Sequence, residues 1–348
     1  MALIKTNARG QSSNLGRRNM VINGAMQVAQ RATSATGQTT GGYKTVDRSK
    51  FDLGNLGTHT YSQSTDAPEG FSNSLRIDCT TTASLSADSL LYALCTGIEG
   101  QDVQQLKKGT SNAEAVTISF YVKSNKTGTY VLEVYDGTNT RHIGKTYTIN
   151  SANTWEYKTL TFVGDTTGAI ANSNAFGIGL FFWVSGGSNY TSGTLPSGWS
   201  SVTNANRASG LNVNIADNTA NDWAITGVQM EVGSVATPFE HRSFGEELAA
   251  CQRYFQKTYE YATALGTNTE NGWAWYGTDY NLAITSTFQS QGIRFETTMR
   301  NPPTLVSYDG PGASGKCTRY RVGAGPGHDA AATMDLISTK NFRHFGAG

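Results

Sequence analysis

The chain has 348 residues, of which 15% are charged, 39 are Gly and 7 are Pro, and its formal net charge is +1. The 27 Lys and Arg residues are balanced by 26 Asp and Glu, so the basic excess that usually accompanies nucleic-acid binding is missing. No run approaches the roughly 20 apolar residues of a membrane-spanning helix, and MALIKTNARGQSSNLGRRN has no long apolar core of a signal peptide. The composition favours a large β-rich protein with a polar, uncharged surface and no nucleic-acid partner or membrane insertion.

The stretch 1–18 carries four basic residues among Asn, Gly and Ser, namely Lys5, Arg9, Arg17 and Arg18. It has no apolar periodicity, which is typical of a solvated arm. Two interpretations stay open: the arm is disordered, or it becomes ordered by docking on another protein.

Alternating strands dominate the middle of the chain. In VTISFYVKS, at 116–124, apolar residues alternate with polar ones, which predicts a strand with one buried face. The turn-forming SNKTG and then TYVLEVYDG follow, so 116–136 is predicted to be a hairpin. Further strands are predicted at 155–163, 176–184 and 223–232.

The fold class predicted from these strands is all-β. Many short strands without a βαβ rhythm are typical of a double-sheet sandwich, and we expect a jelly roll across 19–242. The loop SGGSNYTSGTLPSGWSS, at 185–201, is too long for a tight hairpin and is expected at one end of the sandwich.

A helix is predicted directly after the last of these strands. Pro238 ends the strand pattern because it has no amide to donate to a sheet, and Ser243 with Glu246 fits a capping box. The predicted linking helix spans 243–259, and a smaller β-rich domain is expected at 260–348. Helical spacing gives the helix one apolar stripe, for packing on the sandwich or a neighbouring subunit, made of Phe244, Leu248, Cys251 and Phe255.

Three stretches carry a resemblance: RRNMVINGAMQVAQR, YKTVDR and WAITGVQMEVGSVATPFEHRSFGEELAACQRYFQK. They resemble a family of bacteriophage virion proteins, the tail-fibre or tail-tip proteins of marine and other tailed phages. The part that begins TPFEHR is the most specific. The resemblance implies a jelly roll similar to carbohydrate-binding modules, a short helix and a C-terminal β-domain, in a homo-oligomer that is commonly a trimer.

The sequence holds no recognisable catalytic pattern. Glycan hydrolysis needs two carboxylates that face each other across a cleft, and no spacing pairs the scattered candidates Asp136, Asp165, Asp217, Asp222 and Glu231. The five His residues show no metal-binding spacing, and no Ser lies in a GxSxG motif. The widely spaced cysteines are expected to be buried free thiols: Cys79, Cys95, Cys251 and Cys317. We therefore predict a protein that is not an enzyme and has no cofactor.

Calcium is the one metal for which the sequence contains candidate ligands. Asp136 and Asn139 in YDGTNT, or Asp309 in SYDG, offer oxygen ligands of the kind that Ca²⁺ prefers. Without an EF-hand-like pattern an ordinary turn is favoured at both places, and structural calcium stays the alternative.

Aromatic residues in polar loops are the candidate glycan contacts, because sugar rings present apolar C–H faces to aromatic rings. One cluster surrounds the 185–201 loop and the other lies in NGWAWYGTDY. The alternative for both is packing in a core or a subunit interface. The candidates are Trp183, Tyr190 and Trp199 in the first cluster, and Trp273, Trp275, Tyr276 and Tyr280 in the second.

The function predicted from the sequence is that of a virion structural protein, a tail-fibre or tail-tip component that attaches to host surface glycans. In this hypothesis the protein is made in the host cytoplasm, forms a homotrimer, and uses 1–18 to bind other virion tail proteins. Two alternatives remain: a glycan depolymerase, and a capsid decoration or appendage protein.

Overall fold

The structure is a computed structural model in which the described residues are 17–269, 288–289, 293–309, 311–321, 324–335 and 337–346. The chain divides into two compact units. The first comprises Met1–Gln27 and Ser34–Ser243, and the second comprises Val28–Thr33 and Phe244–Gly348. Several predicted site residues lie outside the described residues: Lys5, Arg9, Trp273, Trp275, Tyr276 and Tyr280.

The first unit contains twelve strands and one short helix within its described residues. The helix is α1, Ser188–Thr191. In chain order the strands are β1 Ser34–Gln38, β2 Ser49–Gly54, β3 Thr58–Ser64, β4 Ser74–Thr81, β5 Leu90–Glu99, β6 Val116–Ser124, β7 Gly128–Asp136, β8 Arg141–Ile149, β9 Glu156–Phe162, β10 Phe176–Gly186, β11 Ser200–Ser201 and β12 Asp222–Val232.

These strands form two antiparallel six-stranded sheets. Sheet one has the order β1-β3-β4-β12-β6-β9, and sheet two has the order β11-β8-β7-β10-β5-β2. Because the chain passes repeatedly from one sheet to the other, the fold is a β-sandwich of the jelly-roll type, and the predicted all-β fold class is confirmed. The strands predicted at 155–163, 176–184 and 223–232 are confirmed as β9, β10 and β12.

The predicted hairpin at 116–136 is wrong, although both of its strands exist. β6 pairs with β9 and β12 in sheet one, whereas β7 pairs with β8 and β10 in sheet two. The link between them crosses from one sheet to the other, and Asn125 holds it to the start of β12 through the carbonyl of Ala220, at 3.0 Å. Alternation identifies the buried face of a strand but not its neighbour, so the same turn residues fit either connection.

The core lies between the two sheets and is rich in aromatic side chains. Phe51 stacks on Tyr61 with ring centroids 3.7 Å apart, and Phe120 meets Phe182 edge-on at 5.0 Å. All four rings are fully buried. Burial of one such ring stabilises the fold by about 2–3 kcal/mol, so this core can hold the sandwich together without disulfides.

The second unit begins with helix α2, Phe244–Gln252. Its described strands are β13 Phe288–Gln289, β14 Ile293–Arg294, β15 Lys316–Arg321, β16 Ala324–Asp335 and β17 Asn341–Gly346, in the antiparallel order β13-β17-β16-β15 with β14 also paired to β17. No helix in the described part of the chain has the length and apolar content to cross a membrane.

The helix is shorter than predicted, and this divides its apolar stripe. Cys251 is buried, Leu248 is half-buried and Phe244 is 45% exposed. Phe255 lies beyond the helix, where the guanidinium of Arg31 stacks 3.8 Å from its ring centroid. The proposed packing role of the stripe stays a prediction.

The two cysteines whose side chains the structure describes, Cys79 and Cys251, are buried free thiols, as predicted. The side chains of Cys95 and Cys317 lie outside the described part.

Candidate functional site

The outer face of sheet two carries an aromatic and charged cluster. Along β5, β7 and β10, side chains that point into the core alternate with side chains that point away from it. On β10, Phe182 joins the core while its neighbours Phe181 and Trp183 join a second cluster on the outer face. Tyr92 from β5 and Tyr135 from β7 complete this aromatic surface.

The segment that follows β10 folds over part of this face instead of extending from the end of the sandwich. It is held by its own backbone hydrogen bonds, from Ala208 to the Tyr190 carbonyl and from Gly193 to the Ala205 carbonyl, both at 2.9 Å. Gly187 starts the segment, where a Cβ atom would lie 1.9 Å from the carbonyl oxygen of Ser86, so no larger residue fits. This path places Arg207 above the sheet.

Arg207 lies at the centre of the outer cluster. Its guanidinium carbon is 5.1–5.8 Å from four ring centroids, within the range of cation–π attraction. We call these five residues the Arg207 basin: Arg207, Tyr92, Tyr135, Phe181 and Trp183.

A buried carboxylate, Glu133, fixes the orientation of Arg207. The Nε of Arg207 donates to both carboxylate oxygens, at 3.0 and 3.2 Å, and the indole N–H of Trp183 donates at 3.0 Å. His142 Nδ1 lies 2.8 Å from the same carboxylate. Burial alone would raise the pKa of Glu133, but the hydrogen bond with His142 and the charge of Arg207 hold it below its usual value. Burial likewise opposes the charge on Arg207, yet Glu133 raises the pKa of the guanidinium.

The basin leaves hydrogen-bond donors free for a ligand. Apart from the phenol of Tyr92, no group in the described residues forms a hydrogen bond with the two terminal amino groups of Arg207. The phenol of Tyr92 in turn donates to Asp52, at 2.6 Å. The Arg207 side chain is 14% exposed and the Tyr92 residue 7%, so a ligand would reach only a small part of these side chains.

Of the three glycan contacts predicted around the 185–201 loop, two belong to this cluster and one does not. Trp183 is fully buried and offers no ring face to solvent, while the ring of Tyr190 packs against it, tilted by 39°, with centroids 5.3 Å apart. Trp199 instead packs against the core, with its indole N–H bonded to the carbonyl of Val163 at 2.8 Å. The glycan-binding role of these three residues stays a prediction.

A second charged centre lies around Lys108. Its ammonium donates to Asp136, to Asp165 at 2.7 Å and to the carbonyl of Gly168 at 2.9 Å, and all three charged side chains are buried. Arg141 pairs with Asp165 through two hydrogen bonds, at 2.7 and 3.0 Å. Burial opposes the charge of Asp165, but these partners lower its pKa to about 2.

The Lys108 centre bears directly on the calcium alternative. The Asp136 carboxylate accepts the ammonium of Lys108, the amides of Thr138 and Asn139, and the Asn139 side chain. The Lys108 ammonium thus lies where a calcium ion bound to Asp136 would lie. Among the described residues, no three His, Cys, Asp or Glu side chains come together in an arrangement that could hold a metal. Asp309 lies in a turn, where its carboxylate accepts the amide of Ala313 at 2.7 Å.

The other carboxylates weighed as catalytic candidates also lie beside basic side chains. Asp217 pairs with Lys126, Asp222 with Arg76, and Glu231 with Arg18. The absence of an enzymatic function stays a prediction.

The described part of the N-terminal stretch is held within the chain. Glu240 accepts the backbone amides of Arg18 and Asn19, at 3.2 and 2.7 Å, and the Arg18 guanidinium donates to the carbonyl of Pro238 at 2.7 Å. Arg17 pairs with Asp102 at 3.2 Å on the surface. Glu240 belongs to the TPFEHR motif, so in this fold the motif fastens the start of the sandwich.

The sequence interpretation missed Arg207 and Glu133, the two residues that organise the basin. Glu133 interrupts the apolar pattern of TYVLEVYDG, and a charged residue inside such a strand was the available signal. Arg207 lies in a polar loop and left no comparable signal.

No protein-family model matches the chain, and no curated protein matches it significantly. Several solved structures resemble it weakly. The enzymatically active domain of bacteriophage CBA120 tailspike protein 4 is 13% identical, with a TM-score of 0.30, over 62% of this chain and 21% of that one. A family 4 carbohydrate-binding module is 11% identical, with a TM-score of 0.31, over 61% and 99%. The family 11 module of the Clostridium thermocellum cellulase Lic26A-Cel5E is 10% identical, with a TM-score of 0.27, over 64% and 96%. The chain spans about a fifth of the tailspike chain, and nothing about the site follows from likenesses this weak.

Proposed function

We propose that the protein is a glycan-binding structural component of a bacteriophage virion, at the tail fibre or tail tip, where it contacts host surface polysaccharide. The observation that carries the glycan part is the Arg207 basin, a guanidinium with free N–H groups among four aromatic rings. Sugars combine hydroxyl groups with apolar C–H surfaces. Such a ligand can satisfy the N–H donors and the ring edges together.

The charge balance of the basin favours a neutral sugar. Glu133 is fully buried against Arg207, so the two formal charges cancel inside the site. Because three donors already hold Glu133 in place, Arg207 needs little reorganisation on binding, and pre-organisation of this kind lowers the entropic cost of association.

The virion part of the proposal rests on the resemblance of the segment that begins TPFEHR to phage tail proteins. Since Arg18 is already engaged by Glu240 and Pro238, attachment to other tail proteins falls to the residues before Arg17, including Lys5 and Arg9. A homotrimer is part of the same proposal, as are synthesis in the host cytoplasm and final location in the virion.

Affinity electrophoresis in gels that contain a soluble polysaccharide tests the glycan part. The panel is mixed-linkage β-glucan, xylan and a bacterial O-polysaccharide. Arg207→Lys keeps the charge beside Glu133 but loses the guanidinium donors, so we expect binding to weaken about tenfold or more, as is common at arginine hot spots. Arg76→Lys is the matched control, since Arg76 likewise pairs with half-buried carboxylate groups, those of Asp78 and Asp222, but lies outside the basin.

Unchanged retention of Arg207→Lys, or a wild-type protein that no polysaccharide of the panel retains, would overturn the glycan assignment. Immunogold labelling of purified particles tests the location. Label on the tail supports the virion assignment, and its absence from particles contradicts it.

A further inference from the structure

A row of aromatic rings crosses the outer face of sheet one, on the opposite side of the sandwich from the Arg207 basin. We call it the Phe71 row. Its members, in spatial order, are Tyr157, Tyr121, Phe71, and then Phe239 and His241 together.

Four separate parts of the first unit build this row. Tyr121 on β6 and Tyr157 on β9 are directly opposite each other in the strand register, and both point away from the core that Phe120 and Val122 enter. Phe71 comes from the link between β3 and β4. Phe239 follows β12.

A glycine makes room for the central ring. Gly227 has φ +62° and lies at a β-bulge in β12, between Thr226 and Gln229. A Cβ atom there would lie 2.7 Å from the ring of Phe71 and 3.2 Å from that of Tyr121. Only glycine combines this left-handed backbone with the space that Phe71 occupies.

The rings follow one another at short, regular spacings. The centroid of Tyr157 is 4.9 Å from that of Tyr121, which is 5.5 Å from Phe71, which is 5.0 Å from Phe239. Tyr157 is 48% exposed, His241 is exposed, and the other rings are partly exposed. An exposed, continuous run of this kind is unusual on a solvent-facing sheet and points to a ligand.

The row also carries polar groups, two phenols and one imidazole. No described residue forms a hydrogen bond with the phenol groups of Tyr121 and Tyr157 or with the imidazole nitrogens of His241, whereas the buried phenols of Tyr92 and Tyr130 have partners. The row runs across the strands, and beside it along the strands lie Lys123 and Trp155, whose ring centroid is 6.0 Å from the Lys123 ammonium. Next to Tyr121 and Tyr157 on the same face lie the small hydroxyl residues Ser119 and Thr159, which are also opposite each other in the strand register.

We propose that the Phe71 row is a second glycan-binding surface, which takes an extended neutral saccharide along the line of rings. A line of rings edged by hydroxyl and imidazole groups suits a linear chain of sugars, which offers alternating C–H faces and hydroxyls. A flat subunit contact would need a broader apolar patch. The assignment is independent of the Arg207 basin, because the two surfaces belong to different sheets.

The test is affinity electrophoresis with the same three polysaccharides. Tyr121→Ser combined with Tyr157→Ser removes two rings and should lower retention about tenfold, the loss that corresponds to one good ring stack. Tyr43→Ser is the matched control, since Tyr43 is 42% exposed and lies outside the row. Tyr157→Ser alone, on an edge strand, gives a milder variant whose fold is easily preserved and should show an intermediate loss.

The outcomes separate the two surfaces. If the Tyr variants keep full retention while Arg207→Lys loses it, the second surface is refuted and the basin stands; the reverse result supports the row and refutes the basin. Sedimentation velocity tests the alternative that the row is a contact between subunits. If the Tyr variants dissociate from an oligomer and still bind polysaccharide like the wild type, the row is a subunit contact and the proposal fails.

Discussion

Replacing Lys108 with Met should destabilise the sandwich by about 3 kcal/mol, within the range for removing one partner of a buried ion pair. Arg141 would still neutralise Asp165 through its two hydrogen bonds. Asp136 would lose its salt bridge with Lys108 while remaining fully buried. The amides of Thr138 and Asn139 still donate to it, which keeps the cost at the lower end of the range.

Urea unfolding followed by tryptophan fluorescence measures this loss, since the ring of Trp199 lies 4.7 Å from the Lys108 ammonium. Adding Asp136→Asn to the variant removes the orphaned charge but keeps an oxygen for the two amides, so about half of the stability should return. Lys107→Met is the control. Lys107 pairs with Glu114 at 2.6 Å but is 54% exposed, and such surface pairs contribute about 0–1 kcal/mol. A loss below about 1 kcal/mol for Lys108→Met, or no recovery in the double variant, would refute the reasoning.

Three further results are expected. His59 is fully buried, and neither of its ring nitrogens has a partner among the described residues. Because burial lowers its pKa from 6.5 to about 4, the stabilisation should be complete above pH 6.5, and the free energy of unfolding should fall by about 3 kcal/mol as the pH drops to 4. His59→Leu should flatten this decline, which urea unfolding midpoints measured across that pH range would detect. Gly227→Ala should cost about 1–2 kcal/mol through its left-handed backbone and displace Phe71, which thermal unfolding detects; a variant as stable as the wild type would contradict the role of the bulge. Leu248→Glu should dissociate the proposed trimer in sedimentation velocity while Ala249→Glu, at an exposed position of the same helix, should not; a monomeric wild type would contradict both expectations.

The sequence predicted the strands well because alternation reports directly on burial. β6, β9, β10 and β12 all begin and end within two residues of their predicted bounds. The pairing of β6 with β7 failed because neighbours in a jelly roll are distant in sequence. Nothing in the sequence of either strand indicates which of the two sheets it joins.

The functional surfaces were harder to predict for the same reason. Trp183 is aromatic and lies close to a polar loop, which favours a glycan contact, yet the loop folds back and buries it. The row around Phe71 draws on residues from 71 to 241, and only the folded chain brings them together. For helix α2 the prediction was too long. The apolar pattern continues at helical spacing to Phe255, but the helix ends at Gln252.

The segment Val28–Thr33 belongs to the second unit although it lies between two parts of the first. Within the second unit, the amide of Ala29 donates to the phenol of Tyr261 at 2.5 Å, and the side chain of Gln30 donates to the carbonyl of Phe255 at 3.0 Å. A recombination event that replaced the chain after Ser243 would therefore remove the residues to which this short segment is hydrogen-bonded. Exchange of the C-terminal unit between related genes should be productive only when the early segment is exchanged with it, so the two stretches are expected to be inherited as a pair.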